Sequence, residues 1–152
     1  MQLGLLIYLI AFVAPISILL HEVGHAMAAW FVKADHIYIF IGTGSKEKTF
    51  KAGKLQISIA PFFFVGGLAV SERKKSYSWI EKLFITISGP ISSGIVVFLF
   101  WVISQFFATP FIQLFVLFNT WIAVVNLIPI QLKSKQTDGY VMLKILCSAI
   151  KN

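Results

Sequence analysis

The sequence predicts a mainly α-helical membrane protein: three transmembrane helices, a small membrane-associated β-region between the first and second, and a short C-terminal helix. Three observations carry this expectation. Apolar stretches fill residues 3–32, 79–107 and 111–130. Hydrophobic residues make up 58% of the 152-residue chain and charged residues only 12%, against roughly 25% charged in a soluble domain, so too few charges remain to cover a soluble surface. The basic residues gather between the apolar stretches, as they do in the cytoplasmic loops of membrane proteins.

Each element has its own warrant. In residues 3–32 the only ionisable side chains are His21, Glu22 and His25. At about 1.5 Å per residue a helix of this length exceeds the roughly 30 Å hydrocarbon core, so it spans with tilt or projects beyond the lipid. The stretch lacks the basic start and clear cleavage site of a signal peptide, and it reads as retained. Residues 35–70 form the β-region. Segments 36–41 and 55–59 alternate and are rich in β-branched and aromatic residues, with turns at Gly42-Thr43-Gly44 and Ala52-Gly53, the pattern of a short β-meander. Residues 60–70, with Pro61 and Gly66-Gly67, are too short and glycine-broken to span, and read as a loop or hairpin dipping into the interface. Span 79–107 opens with Glu81 and Lys82, and a break at Ala108-Thr109-Pro110 separates it from span 111–130. The remaining residues are polar, then weakly amphipathic. The whole of 1–152 is expected to be one domain.

The net charge of +7 raises nucleic acid as a partner, but the placement of the lysines excludes that reading and points to the lipid bilayer. Residues 33–78 hold eight Lys or Arg; Lys133, Lys135, Lys144 and Lys151 follow the third span; the N-terminal end and the Ala108 turn hold none. The positive-inside rule therefore sets a multi-pass protein in the cell membrane, with the 33–78 loop and the C-terminus cytoplasmic and the N-terminus outside. Cys147 is the one cysteine, so no intrachain disulfide forms, and it is expected to pack as a small hydrophobe.

Chemistry concentrates in His21-Glu22-Val23-Gly24-His25. On a helix, residues four apart share a face, which puts both imidazoles within reach of one tetrahedral metal. Glu22 projects beside them, placed to take a proton from a zinc-bound water. Three ionisable groups in five positions of a membrane helix each cost a few kcal/mol, and a bound zinc compensates. The plainer reading is a polar patch pairing with other helices. The small residues Gly24, Ala26, Ala28 and Ala29 let neighbours approach closely. A catalytic zinc usually takes a third protein ligand. Of the carboxylates, Asp35, Glu47, Glu72 and Glu81 lie in or beside the basic loop. Asp138 stands alone after the third span and is the favoured third ligand, with a helix N-cap as its other reading. His36, beside Asp35, reads as a surface or interfacial residue.

Together these features resemble the site-2 protease family of intramembrane zinc proteases. The resemblance rests on His21-Glu22-Val23-Gly24-His25, on Pro61 with Gly66-Gly67, on Ser88-Gly89-Pro90, and on Asn126-Leu127-Ile128-Pro129 followed by Asp138-Gly139. The first and last are the specific ones. It implies one Zn2+ per chain held by His21, His25 and Asp138, with Glu22 as general base. Asn126 would position substrate or stabilise the oxyanion, with an interhelical hydrogen bond or a helix cap as its alternative; Gly89 and Pro90 would serve packing and kinking. It implies hydrolysis of a membrane-embedded peptide or single-span protein, held in extended form by strand addition. The twelve-residue step from Asn126 to Asp138 is longer than the family pattern, with Lys133-Ser134-Lys135-Gln136 inserted, and Tyr140 stands where a second glycine is common. A three-span core without a PDZ-like domain would rely on a regulatory membrane partner or an oligomer, or act on small membrane peptides. The competing readings are an inactive homologue that binds membrane partners and a small metal-transport subunit.

Overall fold

The computed structural model describes residues 2–132 and 135–150. Lys133 and Ser134 of the insertion, and the C-terminal Lys151, lie outside the described residues. The first apolar stretch is one helical rod, Gln2–Phe31, made of α1 (Gln2–Tyr8), a π-turn (Leu9–Val13) and α2 (Ala14–Phe31). Pro15 explains the π-turn. It has no N–H to offer the Ala11 carbonyl, and the helix widens there, with the Ala14 amide bonding Leu9 O. α2 ends where the amides of Lys33 and Ala34 turn back onto the Trp30 and Ala29 carbonyls at 3.0 and 2.9 Å. Lys33 takes the left-handed conformation, φ 61°, that this helix ending requires. The chain then runs back along α2 as a strand.

The β-region is a four-stranded sheet: β1 (His36–Thr43), β2 (Lys48–Ala52), β3 (Leu55–Ile59) and β4 (Phe62–Glu72). Its order is β2-β3-β1-β4, with β1 and β3 parallel and the other pairs antiparallel. This corrects the expected meander, in which consecutive strands would all pair. Residues 60–70, expected as an interfacial loop or hairpin at the end of the β-region, are mostly the long strand β4. Pairing with β1 from His36↔Glu72 to Ile41↔Gly67 outweighs the poor strand propensity of Gly66-Gly67. Inward residues Ile37, Ile39 and Ile41 of β1 join Ile18, Ala26 and Ala29 of α2, and Ile122, in the main core.

α3 (Trp79–Phe106) begins with a capping box between Ser78 and Glu81. Arg73 fastens this junction: its guanidinium grips Glu81 through two bonds, 2.8 and 2.9 Å, and donates to the Val32 carbonyl at 2.7 Å. α2 and α3 pack closely because Gly24 lies against the Ser88 backbone, where a Cβ would not fit, and Ser92 Oγ donates to Leu20 O at 2.7 Å. α4 (Pro110–Leu127) stops short of residue 130. Ile128 precedes Pro129 and is forced extended. Beyond it β5 (Gln131–Leu132) and β6 (Lys135–Gln136), the latter the second half of the polar insertion, pair antiparallel, and α5 (Asp138–Ile150) follows.

Among the described residues, three helices are thus long and apolar enough to cross a membrane, Gln2–Phe31, Trp79–Phe106 and Pro110–Leu127. Large apolar side chains such as Phe98, Trp101 and Leu117 stand more than half exposed on them, a surface that water does not favour. Cys147 is exposed on α5, a correction to its expected packing role, because α5 turns only its first residues into the core.

Candidate metal centre

Two elements distant in sequence build the site. His21 and His25 sit one turn apart on α2, 5% and 8% exposed. Asp138 comes from the first turn of α5. Its Oδ2 lies 3.0 Å from His21 Nε2 and its Oδ1 3.3 Å from His25 Nε2. The three side chains offer ligand atoms all within 4.8 Å of one another. Two imidazole nitrogens and one carboxylate oxygen, drawn together in a largely buried cluster, are a donor set that suits zinc.

The helix cap at this point is not Asp138. Thr137 Oγ1 accepts from the Tyr140 amide at 3.4 Å and from the Ile130 amide at 3.0 Å, which makes Thr137 the cap and closes the β5–β6 hairpin. The Asp138 carboxylate is thereby free for the histidines. Gly139 is buried against the Leu127 carbonyl with no room for a Cβ, so the start of α5 sits directly on the end of α4. The hairpin absorbs the long step from Asn126 and still delivers Asp138 to α2.

The other nitrogens of the imidazoles are also engaged. His25 Nδ1 donates to the Ile85 carbonyl at 2.8 Å, and His21 Nδ1 lies 3.0 Å from Ser93 Oγ. Gly89 packs against the His25 ring, where any Cβ would overlap it. Glu22, 7% exposed, lies on the sheet side of the pair. A Cβ on Gly67 would come within 2.7 Å of its Cγ, and the backbone N–H of Ala69 interacts with its carboxylate. β4 therefore forms a roof over Glu22.

Asn126 stands apart from this cluster. Its Nδ2 donates to the Ile122 carbonyl one turn back on α4, at 3.0 Å, which is neither an interhelical bond nor a cap, and no hydrogen bond among the described residues carries it to the metal ligands. His36 is exposed at the start of β1. Sequence reasoning missed Ser93, the Ile85 carbonyl and the contact of Gly67 with Glu22. Ser93 left a signal, a hydroxyl in an apolar span one turn after Gly89; the carbonyl left none.

The model for Peptidase family M50 matches residues 8–110, which takes in the sheet, α3 and the helix bearing His21, Glu22 and His25. No curated protein matches the chain.

Proposed function

The chain belongs to Peptidase family M50, a family of zinc metalloproteases of intramembrane proteolysis, and on that premise we propose that it is an endopeptidase that hydrolyses membrane-embedded peptides or single-span proteins. The observation that carries this reading is the convergence of His21, His25 and Asp138 within 4.8 Å, beside a buried carboxylate that none of them needs as a ligand.

Zinc, when bound by these three residues, supplies Lewis-acid polarisation of the scissile carbonyl and lowers the pKa of a coordinated water. Glu22 is the general base. It takes a proton from the attacking water as the new C–O bond forms, and returns it to the amide nitrogen as the C–N bond breaks, so that water and peptide become an acid and an amine. β4 pairs only with β1 among the described strands, so its outer edge is open to an extended peptide beside Glu22. A peptide adding to that edge gains backbone hydrogen bonds, the usual device for holding an unwound segment. With the basic 33–78 loop cytoplasmic, the ligands lie about 9–15 Å of helix from the Phe31 end, within the bilayer and toward the cytoplasmic face.

The test is Glu22→Gln in purified, zinc-loaded protein against candidate single-span substrates. Cleavage should fall by about 10²–10⁴-fold with zinc content unchanged. Equal cleavage by the variant would refute the role of Glu22.

A further inference from the structure

We propose that Ser93 is a positioning residue for His21: its hydroxyl can accept from Nδ1–H, so it accommodates the tautomer in which Nε2 ligates a metal, and its loss lowers the zinc affinity of the site. This rests on the reading of the site as a zinc centre.

A histidine ligand must offer a lone pair at one nitrogen while the other carries its proton, and whatever bonds the second nitrogen decides which is which. Both imidazoles direct Nε2 toward Asp138, at 3.0 and 3.3 Å. Their other sides differ. His25 Nδ1 faces the Ile85 carbonyl at 2.8 Å. A carbonyl only accepts, so Nδ1 must carry the proton, which leaves Nε2 as the nitrogen able to ligate a metal. No side-chain substitution at residue 85 removes that acceptor. His21 Nδ1 faces the Ser93 hydroxyl at 3.0 Å, which both donates and accepts. The tautomer of His21 therefore depends on a single replaceable side chain.

Ser93 is 0% exposed, so no bulk water stands ready to take over its bond. Without the hydroxyl, an Nδ1–H on His21 would be buried and unpaired, which disfavours the ligating tautomer. Ser92, its neighbour on α3, provides an internal comparison. Its hydroxyl also reaches α2, but it donates to the Leu20 carbonyl and makes no hydrogen bond to either histidine among the described residues.

The experiment measures zinc affinity by chelator competition at fixed pH, together with the visible spectrum of the cobalt-substituted protein, for wild type, Ser93→Ala, Ser93→Thr and Ser92→Ala. Helical circular dichroism and monodisperse elution check folding. Ser93→Ala should bind zinc about 10–100-fold more weakly with a changed cobalt spectrum. Ser93→Thr, which keeps the hydroxyl, should recover most of the affinity, and Ser92→Ala should match wild type. Wild-type affinity in Ser93→Ala, or an equal loss in Ser92→Ala, would overturn the assignment. A wild-type protein that binds no zinc would instead remove the zinc-centre reading itself, which the same titration distinguishes.

Discussion

The two sides of α2 are packed to opposite standards. On one side it meets α3 with nothing to spare: Gly24 lies against the Ser88 backbone and Gly89 against the His25 ring. On the other it meets the sheet, and toward its N-terminal end the two separate around an apolar cleft of about 470 Å³, bordered by Phe12, Ile16, Leu19, Phe50 and Ile59 among others. The proposed metal ligands on α2, His21 and His25, face the tight side. Glu22 sits at the seam, with the ligands on one hand and β4 on the other. On the proposed reading, the difference teaches that metal geometry and proton transfer depend on separate contacts, so that each should fail without the other.

The tight side should fail hardest. Gly89→Ala puts a methyl group into the His25 ring, and neither the ring nor the α3 backbone can retreat without breaking the bond to the Ile85 carbonyl. Overpacking of this kind costs about 1–3 kcal/mol, and here the atoms displaced are those of a metal ligand. Zinc content by elemental analysis should fall well below one per chain and cleavage should disappear. Full zinc loading in this variant would show that the α2–α3 contact is softer than its geometry implies.

The seam should lose activity but keep the metal. In Gly67→Ala the new methyl group meets Glu22 Cγ and Oε1 and Ile18 Cγ2. The Glu22 carboxylate is the movable partner and should swing aside. Misplacing a catalytic group by about 1 Å can cost about 10²-fold, so kcat should fall to that extent with zinc affinity unchanged. Loss of zinc in Gly67→Ala would mean that the sheet also holds the ligands, and the two functions would not be separable.

The same division explains what the sequence could reveal. The helices and the His21–His25 pair were legible because apolar length and four-residue spacing are local signals. The sheet was not, since the parallel pairing of β1 with β3 joins segments that turn signals alone would connect otherwise. β4 was read as a loop because Gly66-Gly67 interrupts its pattern, while the partner that makes it a strand, β1, lies some thirty residues earlier. Asp138 was singled out by its isolation, but its approach to α2 depends on the β5–β6 hairpin and on Thr137 taking over the cap. Asn126 shows the reverse case, a motif residue whose side chain bonds within its own helix.

The loose side should tolerate what the tight side cannot. Ile16 borders the cleft and is 43% exposed, so Phe in its place extends into open apolar space and not into packed atoms. The larger ring also covers more of Phe50 and Ile59 across the cleft, which adds a small favourable contact. Ile16→Phe should therefore change stability by no more than about 0.5 kcal/mol, the usual range for a substitution that neither opens a cavity nor strains a core, with zinc content and cleavage as in wild type. Detergent-solubilised unfolding, followed by circular dichroism, measures it. A loss above about 1 kcal/mol, the onset of true overpacking, would mean that helix and sheet close on one another there. The contrast between the two sides of α2 would then shrink to the metal ligands alone.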